Sequence, residues 1–493
     1  MKKLRNTFLF FGLSVLLVFF ASCGEKEKAV AADTPKTENF RDWAKKPPLG
    51  WNSYDAYHGA VTEQQFLQSV DSLEKKLLPY GYDMATIDYC WFNPGPEGWD
   101  PDQWTTFEVN QTRNENGKLY PELNMDEYGR LLPAVNRFPS SVNGNGFTSI
   151  GEILHQKNMK FGIHIMRGIA RQAVEANTPI KGTNYYAADI AKKIDTCKWN
   201  NNMYGVNPFK PGAQEYYNSL FDLYADWGVD FVKVDDISAP TYHSEEIELI
   251  RKAIDQTGRP MVLSLSCGES MVSYANHMED NANLYRISID FWDHWYKIAH
   301  MFDLAYAWQP HIGDGTWPDL DMIPIGNLCL TNYPGDRDND YKNEHFSRLT
   351  DDEKKTLITL WSFAKSPLIW GGDPITSRTE DYAYLTNNTL LNINQNSTNN
   401  HQAANFVYEG MGRTDRIWLA ESEDGNEKYV AFFNLGEEPL DLDFYYHWEY
   451  WDGTYEVMDI WTGEQLGTTT QKLSATEIPP HGVKAYKLVK IKV

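Results

Sequence analysis

Two stretches near the middle of the chain, Phe231-Val-Lys-Val-Asp-Asp236 and Tyr285-Arg-Ile-Ser-Ile-Asp290, each read as a buried β-strand that stops on a carboxylate. A carboxylate at the end of an apolar strand is costly to desolvate, so its presence there calls for a use. Two such strands from distant parts of a chain, ending at the same rim of a barrel, would set two carboxylates around one glycosidic bond. One can then attack the anomeric carbon while the other protonates the departing oxygen. Other polar residues end or follow apolar runs in the same way: Tyr54 and Asp55, Asp88 and Tyr89, His164 and Arg167, Lys233, Ser266 and Cys267, Arg286, Asp319 and Asp321. Carboxylates converging with a few cations suit an oxocarbenium-like transition state, whose positive charge they stabilise while sugar hydroxyls are held. Lys233 lies two residues before Asp235 and shares its strand face, where an ammonium would keep Asp235 ionised as a nucleophile requires. Arg286 and Asp290, four apart, are expected on one strand face too. Singly, each position has a plainer reading. An Asp-Asp pair commonly caps a helix, and clustered Asp residues can hold Ca²⁺. Their shared placement is what makes them a candidate site.

The elements that would position these groups alternate along the chain. Strands are expected at Leu49–Tyr54, Met84–Trp91, Lys160–Met166, Phe231–Asp236, Met261–Ser266, Tyr285–Asp290 and Leu368–Gly371, with another strand end near Asp319-Leu-Asp321. Between them lie helical patterns. Thr62–Leu78 places Phe66, Val70, Leu73 and Leu77 on one face, and Gly212–Trp227, Glu245–Ile254 and Asp351–Phe363 read similarly. Strand and helix alternating about eight times predict a parallel (β/α)₈ TIM barrel over residues 45–400. A doubly wound open sheet is the competing architecture, but no Gly-rich phosphate loop follows the first strand. From residue 404 the texture changes to short strands, Arg416–Glu421, Lys428–Leu435, Leu440–Tyr446, Tyr455–Trp461 and Val483–Val489, divided by turns such as Asp424-Gly425 and Asp452-Gly453. Residues 404–493 are therefore expected to form an antiparallel β-sandwich with a supporting role.

The formal net charge of −23 argues against nucleic acid and anionic membrane surfaces as partners. The 17 Trp and 29 Tyr suit stacking on sugar rings and equally suit the packing of a large enzyme. At the N-terminus, Lys2, Lys3 and Arg5 precede an apolar run from Phe8 to Phe20 and then Ala21-Ser22-Cys23. This pattern predicts a signal peptide over residues 1–22. It resembles a bacterial lipoprotein box in which Cys23 carries the lipid, followed by a flexible tether over residues 23–44. The expected location is thus the bacterial cell envelope, with membrane attachment through the anchor only. The spacings of Cys90, Cys197, Cys267 and Cys329 match no zinc pattern, and neither a metal nor a cofactor is expected.

Eight segments, in order, carry a resemblance to glycoside hydrolase family 27, the α-galactosidases and their relatives. They are Pro47-Pro-Leu-Gly-Trp-Asn-Ser-Tyr54, Thr86-Ile-Asp-Tyr-Cys-Trp91, Lys160-Phe-Gly-Ile163, Lys233-Val-Asp235, Arg286-Ile-Ser-Ile-Asp290, Trp317-Pro-Asp-Leu-Asp-Met322, Ser366-Pro-Leu-Ile-Trp-Gly-Gly-Asp373 and Asn392-Ile-Asn-Gln395. Asp459-Ile-Trp-Thr-Gly463 and Pro480-His-Gly-Val483 are similar to the family's C-terminal sandwich. The resemblance implies a retaining mechanism with Asp235 as nucleophile and Asp290 as acid/base. It also implies that Asp88, Lys233, Arg286 and Asp321 hold sugar hydroxyls, with Tyr54 standing where the family usually has a stacking Trp. Tyr89, His164, Ser266 and Cys267 complete the expected substrate-binding set.

Departures from the family pattern bear on the sugar. Where α-galactosidases commonly carry two successive acids, this chain has Asp88 and then Tyr89, losing an acid that helps grip the O4/O6 edge of galactose. His164 replaces a family Tyr. Ile237 replaces a Cys, so neither family disulfide is expected at Cys90 or Cys197. The substrate implied is α-linked galactose or a similarly configured sugar in an oligo- or polysaccharide. β-L-arabinopyranosides, which match galactose without its C6 arm, and α-1,6-glucans are the alternatives. A non-catalytic carbohydrate-binding lipoprotein and a Ca²⁺-dependent hydrolase are the competing classes.

Overall fold

The computed structural model describes residues 39–96, 122–331, 343–403 and 414–491. The expected signal peptide, Cys23, most of the tether and residues 97–121 after β2 lie outside them. Residues Phe40–Ala44, assigned from sequence to the tether, form a helical turn packed on the barrel. There Arg41 Nη2 donates to Glu279 O at 2.8 Å and Trp317 Nε1 donates to Ala44 O at 2.7 Å.

Eight parallel strands form the barrel sheet: β1 (Leu49–Asn52), β2 (Met84–Ile87), β3 (Lys160–Met166), β4 (Phe231–Asp235), β5 (Val262–Leu265), β6 (Leu284–Arg286), β7 (Trp317–Asp319) and β8 (Leu368–Trp370). Their spatial order is β7-β6-β5-β4-β3-β2-β1-β8. The ring closes just past β7, where Ile323 N donates to Ile369 O at 2.8 Å and Gly371 N to Ile323 O at 3.0 Å. Both faces of such a sheet are covered, so its strands read as nearly continuous apolar runs. In β3 only Lys160 is exposed.

All but β3, which keeps its expected bounds Lys160–Met166, are shorter than the sequence suggests, and the shortening matters. β6 ends at Arg286, not Asp290, because Arg286 Nη2 turns onto Ser288 O at 3.1 Å and the chain folds back there. Gly268 makes room for that turn, since a Cβ at this position would lie 1.9 Å from Ser288 O. β2 likewise stops at Ile87, before Asp88, whose N–H donates to Ser53 Oγ at 3.0 Å. Asp235 is the last residue of β4, and Asp236 leaves the strand with a left-handed φ of 58°.

Helices α1 (Glu63–Lys76), α2 (Thr148–Gln156), α3 (Ala213–Asp226), α4 (Ser244–Thr257), α5 (Ala275–Asn281), α6 (Trp295–Trp308), α7 (Asp351–Phe363) and α8 (Asn388–Asn396) wrap the barrel. α1 starts at a Thr62/Gln65 capping box and buries Phe66, Val70 and Leu73, a stripe at helical spacing. α7 starts at the equivalent Thr350/Glu353 box.

The C-terminal domain contains more strands than the five expected. β9 (Ser397–Gln402), β10 (Asp415–Ser422), β11 (Glu427–Asn434), β13 (Tyr455–Asp459), β14 (Gln465–Thr469) and β16 (Val483–Lys490) make one antiparallel sheet, and β12 (Leu440–Tyr445) pairs with β15 (Lys472–Ile478) in a second. β9, placed in the barrel by the sequence boundary at residue 400, pairs with β10 instead. The period of two sorts the larger sheet's side chains. Trp418, Ala420, Ala431 and Phe433 join the barrel's core, whereas Ile417, Leu419, Val430 and Phe432 face the smaller sheet. Phe433 meets Phe302 of α6 edge-on at 4.9 Å, and His481 stacks on Trp295 at 3.9 Å. The sandwich is thereby anchored on the barrel's helices.

Candidate active site

A cavity of about 560 Å³ opens over the C-terminal ends of the barrel strands. All eleven residues named from sequence line it: Tyr54, Asp88, Tyr89, His164, Lys233, Asp235, Ser266, Cys267, Arg286, Asp290 and Asp321. Asp55, Trp199, Gly268, Ile289, Phe291, Trp292 and Met322 complete the wall. Arg167 and Asp236, also gathered from strand ends, lie behind it. The Arg167 guanidinium donates to Asp195 Oδ1 at 2.7 Å, Asp236 Oδ2 at 3.0 Å and Glu246 Oε1 at 3.0 Å. It supplies positive charge where Asp195, His243 and Glu246 come together.

Lys233 and Asp235 do not pair as the shared strand face suggested. Lys233 Nζ donates to Asp88 Oδ2 at 3.0 Å, which also accepts from Asn52 Nδ2 at 2.6 Å. Asp235 is served instead by His164 Nε2, 3.5 Å from Oδ2, and by Trp199 Nε1 at 3.4 Å from the same oxygen. Its Oδ1 accepts the Asp236 N–H at 2.8 Å. Burial by itself would raise the Asp235 carboxyl; the His164 hydrogen bond and charge, then Lys233, outweigh it and hold the group below the usual carboxylate range. Asp88 is held far lower still, because Lys233 and His164 overcome its burial.

Around β6 and β7 the charges are paired differently. Arg286 Nη1 meets Asp321 Oδ1 at 2.8 Å and Arg286 Nη2 meets Asp290 Oδ1 at 3.2 Å. Arg286 and Asp290 thus touch as expected, although Asp290 stands on the turn after β6 and its side chain is 64% exposed. Phe291 N–H donates to Asp321 Oδ2 at 2.8 Å, fixing the turn. Burial and the neighbouring Asp290 push Asp321 upward against the pull of Arg286. The Cys267 thiol lines the same cavity and is pushed up as well, first by burial and then by the Asp235 and Asp290 charges, so it is protonated. No disulfide joins Cys90, Cys197, Cys267 or Cys329.

Two of the wall residues outside the eleven bear on the chemistry. Trp199 arrives on the insert between β3 and α3, whose short strands Ile169–Ala170, Ala191–Lys192 and Met203–Val206 form a separate sheet. No periodicity marks that insert as part of the site. Asp55 was among the strand-end residues but not carried into the site. It is 1% exposed, neither oxygen has a hydrogen-bond partner among the described residues, and burial followed by the charge of Asp321 raises its carboxyl well above the ordinary range.

Two carboxylates at the C-terminal rim of a (β/α)₈ barrel, one largely enclosed and ionised and one open to solvent, flanked by cations and aromatic rings, define a barrel glycoside hydrolase. Comparisons with known proteins agree. The family described as alpha galactosidase A matches residues 202–396, and the alpha galactosidase C-terminal beta sandwich domain matches residues 413–488. The crystal structure of a β-L-arabinopyranosidase of glycoside hydrolase family 27 from Geobacillus stearothermophilus is 39% identical, with a TM-score of 0.83, over 91% of this chain and 98% of that one. A variant of that enzyme is known in complex with arabinose. α-Galactosidase A of Cellvibrio japonicus is 23% identical over 92% of this chain and 94% of its own length. α-Galactosidase mel1 of Schizosaccharomyces pombe is 24% identical over 91% and 90%. The chain belongs to glycoside hydrolase family 27.

Proposed function

We propose that the protein cleaves the glycosidic bond of a galactose-configured sugar by double displacement, with β-L-arabinopyranosides preferred over α-D-galactosides. Asp235 attacks the anomeric carbon while Asp290 protonates the departing oxygen; Asp290 then takes a proton from the water that releases the sugar from Asp235. Asp88, Lys233, Arg286 and Asp321 hold the ring hydroxyls, and Tyr54 and Trp292 offer aromatic surface. The observation that carries this reading is the pairing of a largely enclosed carboxylate held ionised with an exposed one on a single cavity. The preference for a pentopyranoside is supported by Tyr89 at the place of a second acid and by the 39% identity to a β-L-arabinopyranosidase. A buried acid that grips a hydroxyl discriminates strongly, and an aromatic wall in its place favours the sugar lacking that arm. The curated α-galactosidases among the relatives support galactosides as the second substrate.

A panel of p-nitrophenyl glycosides, with the product anomer followed by NMR, tests the proposal. Retention of configuration and faster turnover of the β-L-arabinopyranoside than of the α-D-galactopyranoside are expected. Inversion would refute the double displacement, and no turnover on any member would point to a binding protein.

We further infer that the protein is exported and anchored through a lipid on Cys23. The basic start, the apolar run and the small residues before Cys23 support this. Wild-type protein should partition with membranes, and Cys23→Ser should move it to the aqueous fraction; equal partitioning of the two would refute the anchor.

A further inference from the structure

An aromatic wall discriminates between sugars only if it stays where it is. A tyrosine able to rotate about χ1 would give way to an exocyclic hydroxymethyl group and reject it weakly. Tyr89 is held on several sides. The residue is 7% exposed, its ring meets His164 edge-on at 5.6 Å and Tyr54 edge-on at 6.3 Å, and a Cβ at Gly59 would lie only 3.4 Å from its Cδ1. Its phenol oxygen accepts a hydrogen bond from Asn200 Nδ2 at 2.8 Å.

Asn200 is itself locked. It is fully buried, and its Oδ1 accepts the Asn202 backbone N–H at 2.7 Å. That backbone donor fixes which end of the amide is oxygen and leaves Nδ2 to face Tyr89. The residue before it, Trp199, lines the cavity and aims Nε1 at Asp235 Oδ2. One short segment of the β3–α3 insert therefore touches both the proposed nucleophile and the proposed specificity wall.

We propose that Asn200 is a specificity-positioning residue: by pinning the Tyr89 phenol it makes one wall of the sugar pocket rigid, favouring a pentopyranoside over the same ring bearing a hydroxymethyl group. Close-packed interiors resist such displacement, and a buried amide–phenol bond removes the remaining freedom of the ring's outer end. The inference rests on the substrate reading given under Proposed function.

The test compares kcat/KM for p-nitrophenyl β-L-arabinopyranoside and α-D-galactopyranoside in wild type, Asn200→Ala, Tyr89→Phe and the double variant. Tyr89→Phe removes only the hydroxyl, so it keeps the test alive if Asn200→Ala folds poorly. Each single variant is expected to lower the arabinoside-to-galactoside ratio by about tenfold, the scale on which one small group in a pocket is sensed. The double variant should lower it no further, because both substitutions break the same bond. A ratio unchanged in both single variants, with the two activities falling in parallel, would assign Asn200 a structural role and overturn the proposal; so would additive effects in the double variant. If wild type turns over neither glycoside, the reading under Proposed function fails, and the lock is then decided by the ratio of dissociation constants for L-arabinose and D-galactose in the same four proteins.

Discussion

At the end of β4, Asp235 is packed into the barrel. Its side chain is 15% exposed, both oxygens accept hydrogen bonds or lie beside His164, and the turn behind it is clamped by Arg167, whose Nε donates to Asp236 O at 2.6 Å. At the end of β6, Asp290 projects from a turn with its side chain 64% exposed, touched by Arg286 Nη2 at 3.2 Å and with Lys297 Nζ on its backbone oxygen at 2.7 Å. The contrast suits the two roles proposed for these residues. A nucleophile must be permanently charged and fixed near its target, which burial with donors provides. An acid/base must gain and lose a proton in every cycle, which exposure allows.

Breaking the buried end should have the largest effect. Asp235→Ala is expected to lower kcat by about 10⁴-fold or more. Azide should restore part of the rate with inverted product, read by NMR, because a small anion fits the vacated space. A variant near the wild-type rate removes Asp235 from the mechanism. At the exposed end, Asp290→Asn should cost about 10²–10⁴-fold on alkyl glycosides and much less on aryl glycosides with good leaving groups. Equal losses across a leaving-group series would contradict the acid role.

His164→Phe sharpens the comparison through pH. Asp235 is depressed in the folded protein, so its contribution to stability is present above the unfolded carboxylate value and is lost as pH falls through the folded one. Removing His164 should move the acidic limb of the kcat/KM profile upward; an unmoved limb means that other groups set the charge of Asp235. The smallest effect is expected from Lys297→Met, since exposed contacts of this kind contribute about 0–1 kcal/mol. Its kcat should stay within about threefold of wild type, and a larger loss would show that the Asp290 turn depends on that lysine.

Much of this was legible in the sequence, for a definite reason. A parallel barrel buries both faces of its strands and exposes only their ends, so apolar runs that stop on polar residues mark strand and site together. That logic finds Asp88, Asp235, Arg286 and Asp321. It extended β6 too far, because Ile287 and Ile289 continue an apolar alternation although the backbone has already turned at Ser288. In the sandwich, β14 and β15 were missed because Gln465–Thr469 is largely polar and exposed and the short alternation of Leu473 and Ala475 breaks at the exposed Thr476 and Glu477.

The order of strands, the helices between them and the carboxylates at their ends are written in local periodicity, which one chain displays on its own. Partner choice is not. Lys233 shares a face with Asp235 yet binds Asp88, just past the end of β2 two strands away, and Trp199 reaches the cleft, with Asn200 behind Tyr89, from an insert with no pattern of its own. Those outcomes depend on distances between segments far apart in sequence, and only the closing of the barrel sets them.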